Sequence, residues 1–184
     1  MKKILLLCVL LSAFIYGCGG SSEGLLATSS VTSSIDTLVL DSDVAKWADA
    51  ATACKDNVSP TTPAADSVNV TIKSTAYPTS GSTSLSLRIK SATITYMPAN
   101  STTPPMGAEY QSVGMTIAGG SSAAIPVRVA TQEQKLRLQP ALACNNTIYK
   151  YYTKITFDIA EIGSDQSITV DSSMDLRFAD FIDK

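Results

Sequence analysis

Chemistry in a protein needs side chains that can ligate, donate protons or attack, and this 184-residue chain offers few arrangements of them. Asp41-Ser42-Asp43, with Asp49 nearby, could present oxygens to calcium, which takes 6–8 oxygen ligands. The stretch has neither the Gly at position six nor the closing Glu of an EF-hand loop, so turn aspartates facing solvent are the competing reading. Asp171 and Asp175 form a looser pair of the same kind. Glu109 and Glu161 are two of only four glutamates. A carboxylate acid–base pair must face across a cleft at roughly 5–10 Å, and no spacing in the sequence brings any two of them together. Lys150, Tyr152 and Lys154 alternate along one segment and form a stripe that could contact a sugar or a partner, or could simply face solvent with lysines guarding against unwanted pairing. Tyr77, Tyr96 and Tyr110 lie near loop ends, where they could form an aromatic contact patch or plug the ends of a sandwich.

The chain contains no histidine. That excludes Ser-His-Asp and Cys-His nucleophilic catalysis, His-ligated zinc and haem attachment through C-x-x-C-H. It also removes the side chain best suited to moving protons near neutral pH. No cofactor is expected and the reading is non-enzymatic.

The amino-terminal end is patterned differently. Lys2 and Lys3 precede an almost wholly apolar run over residues 4–16, too short for a stable membrane-spanning helix, which needs roughly 20 residues, but suited to a secretory signal. Ile15-Tyr16-Gly17-Cys18 follows, then Gly19-Gly20-Ser21-Ser22. This resembles the lipobox of bacterial lipoproteins: aliphatic at −3, small at −1, then the cysteine. Tyr16 at −2 departs from the usual small residue. The resemblance covers about the first twenty residues. It implies that residues 1–17 are removed as a signal peptide, that Cys18 carries the lipid, and that the mature protein is held in the cell envelope by acyl chains. Gly19, in place of Asp after the cysteine, favours the outer membrane, on its periplasmic or its surface face. Cys8 leaves with the leader, which leaves Cys54 and Cys144 as one pair in an oxidising compartment. A Cys54–Cys144 disulfide is predicted, closing a loop of about 90 residues and worth roughly 4–5 kcal/mol in the chain-entropy model; two free thiols are the alternative.

These side chains must be positioned by elements that the patterning also specifies. Without Lys2 and Lys3, twelve basic and sixteen acidic residues remain, a net charge of −4. With no basic run longer than a pair, no nucleic-acid partner is expected. Residues 18–34 are rich in Gly, Ser and Thr and read as a lipidated flexible tether; residues 35–184 read as one folded domain. There the dominant signal is period-two alternation. A first strand is expected at 37–40, with a bend at Asp41-Ser42-Asp43 and a possible extension over Val44 to Trp47. A second, on Val68, Val70 and Ile72, runs to about Tyr77, followed by a turn at 78–82. Leu85, Leu87 and Ile89 alternate, then Ala92, Ile94 and Tyr96 alternate in the opposite phase, which requires a β-bulge near Lys90-Ser91. Val113, Met115 and Ile117, the turn Ala118-Gly119-Gly120-Ser121, and Ile125, Val127 and Val129 read as a hairpin, with Pro126 placing its strand at an edge or a bulge. Thr131-Gln132-Glu133-Gln134 is a capping-box pattern that opens a short helical turn ending before Pro140. Tyr149, Tyr151, Ile155, Phe157 and Ile159 line one face of the longest strand, Gly163-Ser164-Asp165 turns it, and a last strand or strand pair follows through Phe178.

Seven to nine strands with one helical turn predict an all-β fold, an antiparallel β-sandwich, with a closed barrel as the main alternative. The layout resembles immunoglobulin-like and fibronectin type III-like domains, although Trp47 precedes the cysteine pair instead of lying between its members. The expected function is a lipid-anchored, non-enzymatic binding or structural module for an envelope protein or polysaccharide. The second hypothesis is a surface domain that binds a carbohydrate or small ligand.

Overall fold

The computed structural model describes residues 24–25, 29–49, 51–55, 58–77, 84–164 and 166–181. The leader, Cys18, much of the expected tether, the turn at 78–82 and Asp165 of the last turn lie outside the described residues. In chain order the elements are β1 (Gly24–Leu25), β2 (Ser29–Ile35), β3 (Val39–Asp43), β4 (Asp66–Ala76), β5 (Leu87–Pro98), β6 (Glu109–Ile117), β7 (Ser122–Ala130), α1 (Gln132–Leu142), β8 (Tyr149–Glu161) and β9 (Ser167–Ala179). They form a four-stranded sheet, β1-β2-β4-β7, and a five-stranded sheet, β3-β9-β8-β5-β6. The protein is an all-β sandwich of two sheets with one short helix. Two separate sheets, with β7 and β6 as distinct edges, rule out the closed barrel.

The alternation that marks the strands in sequence also builds the core. Tyr151, Ile155, Phe157 and Ile159 of β8 are fully buried and face Val70, Ile72 and Ile125 of the opposite sheet. Each such side chain contributes roughly 1.5–3 kcal/mol by leaving water. The phase flip in β5 is a bulge: register shifts between Ile89 and Ser91 against both neighbours, β6 and β8. Opposite it, β6 carries its own irregularity at Gly114, whose φ of 67° is a conformation that favours glycine. Pro126 lies on β7, an edge strand, where its missing N–H costs no ladder bond.

Several expectations are corrected. The segment 29–34, assigned to the tether, belongs to β2, paired antiparallel with β4 from Ser29↔Ala76 to Ile35↔Val70. Its serines disguise a strand. They serve a close approach of the two sheets: the Ser33 hydroxyl donates to the Asp171 carbonyl at 2.6 Å and receives the Ser172 hydroxyl at 2.9 Å. Asp41-Ser42-Asp43 is not a bend. It completes β3, with Ser42 buried and the aspartates outward. β3 runs parallel to β9, Val39↔Asp175 to Asp43↔Ala179, so the sandwich is not wholly antiparallel.

The expected hairpin over 113–129 is instead a crossover, because β6 and β7 lie in different sheets. Gln111 bridges the two edges, its amide donating to the Pro126 carbonyl at 2.9 Å and accepting from the Arg128 N–H at 3.0 Å. The turn between them packs against backbone, since a Cβ on Gly119 would overlap the Ser84 carbonyl. α1 opens on the expected capping box, with Thr131 and Gln134 bonded reciprocally, but continues through Pro140 to Leu142. Proline in the last turn deprives only the Leu136 carbonyl of its partner, on an exposed residue that water reaches.

Candidate functional site

The outward face of the five-stranded sheet is built from the second phase of each strand. Cross-strand ion pairs run along it: Lys90–Asp158 at 3.8 Å, Lys154–Asp171 at 2.8 Å, Lys150–Asp175 at 2.7 Å, and Arg177 bonded to Asp41 through both carboxylate oxygens at 2.6 and 2.7 Å. The Asp175 hydrogen bond draws the exposed Lys150 ammonium above its ordinary pKa. Most of the charges on the face are paired in this way, although Lys150 and Arg177 stand opposite each other with like sign.

One row departs from this pattern. Val39, Asp175, Tyr152 and Met97 stand side by side on β3, β9, β8 and β5. The four strands span roughly 14 Å. Met97 is 62% exposed and Val39 48%, and Leu38, just before β3, is 71% exposed. In the adjacent row the short side chains of Ser173 and Thr95 flank Lys154. Large side chains beside short ones leave an open groove of about 610 Å3, lined by Leu38, Val39, Met97, Tyr152, Lys154 and Asp175 among others. Contiguous exposed apolar surface on a sheet face is where partners or ligands bind.

The stripe expected at Lys150, Tyr152 and Lys154 therefore does face outward. Tyr152 and Lys154 line the groove, while Lys150 stands 5.0 Å over the Tyr152 ring and buttresses it. Sequence reasoning missed Leu38, Val39 and Met97. The available signals were the run Leu38-Val39-Leu40, which cannot face inward at every position, and Met97 continuing the outward phase of Thr93 and Thr95. Tyr77, Tyr96 and Tyr110 form no common patch. Tyr96 is buried, stacked edge-on against Tyr151 with its hydroxyl donating to the Val129 carbonyl at 3.1 Å, whereas Tyr110 is 71% exposed. Burial pushes the hydroxyls of both Tyr96 and Tyr151 up to about 12.

The acidic candidates are engaged elsewhere. Asp41 is held by Arg177, Asp43 accepts from the N–H groups of Ala45 and Phe181, and Asp49 caps the N–H of Ala51. Asp171 holds Lys154 and Asp175 holds Lys150. Glu109 accepts from Gln134 at one end of the sheet, and the buried Glu161 accepts from Ser164 at the other. Opposite β5 they align with Ile94 and Leu87, a separation of roughly 20 Å along the strand, too far for a catalytic pair.

Among the described residues, the one group of three potential metal ligands is Cys54, Cys144 and Asp180. Its cysteines form the expected pair, joined as a disulfide with Cα atoms 5.4 Å apart. Both cysteines take positive φ, 59° and 58°. Asp180 fastens this corner, accepting from the Cys144 N–H at 2.6 Å and from the Trp47 indole at 3.1 Å. No helix among the described residues is long and apolar enough to cross a membrane.

The chain matches no protein-family model and no curated protein.

Proposed function

We propose that this is a lipid-anchored bacterial envelope protein, exported by residues 1–17 and held through acyl chains on Cys18. Its work is non-enzymatic: the outward face of the five-stranded sheet binds another envelope component. The observation that carries the binding reading is the apolar row of Val39, Tyr152 and Met97, standing exposed among paired charges. The groove's ammonium and carboxylate groups, Lys154 and Asp175, are committed to ion pairs, which suits them to shaping a surface and not to proton transfer. The lipobox and the bridged cysteines suit an exported protein. Two or more acyl chains anchor stably where one is marginal.

Two experiments in the native host test the reading. Fractionation places the wild-type chain in the membrane, and Cys18→Ser releases it. A photoreactive side chain at position 97 gives adducts in intact cells, and one at Leu136 on α1 does not. Equal labelling at both positions contradicts the assignment of the face.

A saccharide is the second reading, favoured by the Tyr152 ring flanked by Lys154, Ser173 and Asp175 in an open groove. Titrating envelope oligosaccharides into the lipid-free domain then shifts the Tyr152 and Met97 resonances, and Tyr152→Ala abolishes the shift.

A further inference from the structure

We infer that the component covering the groove is the lipid bilayer itself, so that the domain lies on its outward sheet face against the membrane in which Cys18 is anchored. This rests on the reading of Cys18 as the lipidated residue. Only residues 19–23 separate Cys18 from Gly24, and the six steps between them extend at most roughly 22 Å. The domain cannot stand far from the surface that holds its lipid.

Gly24 pairs with Val31 and Leu25 with Ser30, antiparallel. The amino-terminal end of β1, at Gly24, is therefore the end nearer Ile35 of β2, which lies four residues beyond Val31, about 13 Å. At that end the backbone crosses to the other sheet and arrives at Leu38 and Val39, on the rim of the groove. From Gly24, a tether of at most this length leaves the side of the sandwich where the apolar row begins within reach of the membrane that holds Cys18.

Leu38, Val39 and Met97 are exposed alkyl groups of the kind that enter the acyl boundary of a bilayer. Tyr152, with an apolar ring and a polar tip, suits the headgroup level. Lys150 and Lys154 on either side have stems long enough to follow apolar surface while their ammonium groups stay in water. Both lysines are paired with aspartates, so the groove itself presents no unpaired ammonium and requires no anionic lipid. Docking on zwitterionic membranes, insensitive to salt, follows from that pairing. The individual contacts are weak, but the lipid on Cys18 makes them intramolecular, and a short tether supplies a high effective concentration.

Hydroxyl-radical footprinting tests this with the full mature protein. The lipidated chain, its lipid verified by intact mass, is reconstituted in phosphatidylcholine vesicles and compared with Cys18→Ser in solution. Oxidation of Met97 and Tyr152 should fall at least fivefold on the vesicles, while that of Leu136 should not change. Replacing Leu38 and Met97 together with Ser should restore the reactivity of Tyr152 on the same vesicles. Unchanged reactivity of Met97 and Tyr152 in protein that carries its lipid overturns the inference and leaves the anchor intact. Protection already present in Cys18→Ser means that a second copy covers the face, which also overturns it. A mature chain whose mass shows no lipid removes the anchor reading first, and this inference with it.

Discussion

The two faces of β8 have opposite duties. Inward, Tyr151, Ile155, Phe157 and Ile159 are fully buried, and their environment leaves one residue size at each position. Outward, Lys150, Tyr152 and Lys154 meet solvent, hold paired charges and border a groove. The same thirteen residues thus specify the fold on one side and leave the other free to carry function. The inward face is decided by volume and the outward one by what it must touch. Substitutions on the two faces should therefore fail in different assays.

The largest effect should come from the inward face. Phe157→Ala removes a buried ring between the sheets and should cost about 3–5 kcal/mol in denaturant unfolding; a loss under 1 kcal/mol would mean that the core is loosely packed there. Next comes the corner that holds the sheet ends. Replacing Cys54 and Cys144 together with Ser should cost roughly 2–5 kcal/mol, since a separation of 90 residues is left unconstrained in the unfolded chain. Unchanged stability in the exported protein would show that the bridge is not formed.

The third effect depends on pH. Tyr96 and Tyr151 hold their protons up to about 12 in the fold, against 10 in the unfolded chain. Above pH 10 the unfolded chain binds fewer protons than the folded one, so stability is full below pH 10 and declines as pH rises toward 12. For Tyr96 the decline amounts to roughly 2–3 kcal/mol, and Tyr96→Phe should flatten the alkaline limb of the stability curve. A Tyr96→Phe profile that overlays wild type would contradict the burial argument. The smallest effect on stability belongs to the outward face. Tyr152→Ala should change it by no more than about 0.5 kcal/mol while abolishing adduct formation from position 97 in cells. A large loss of stability with unchanged labelling would reverse the comparison.

The same division explains what the sequence discloses. Inward alternation in β4, β5, β8 and β9 reads directly, and so does the bulge at Lys90-Ser91, because one buried face forces period two and any change of phase needs an extra residue. β2 does not read as a strand, and β3 reads as one only over Val39 and Leu40. Ser29, Ser33 and Ser42 occupy inward positions where the sheets approach closely or meet at their margins, and small polar residues replace the aliphatic signal: Ser33 bonds across to the facing sheet, while the buried hydroxyls of Ser29 and Ser42 have no hydrogen-bond partner among the described residues. Whether Ile117 and Ile125 belong to one sheet or two is also hidden, since a short turn serves a hairpin and a crossover equally; the choice is made by Gln111 and by the packing of Gly119 on Ser84. Of the groove, Tyr152 and Lys154 are legible as a stripe. Leu38, Val39 and Met97 are not, because an exposed apolar residue looks like a core residue until the strand's phase is fixed.

The account depends most on a lipid at Cys18, and mass spectrometry of the amino-terminal peptide from the membrane-purified natural protein tests it directly. The peptide should begin at Cys18 and carry the added mass of a diacylglyceryl group. A peptide that begins at Met1, or an unmodified Cys18, would contradict the account.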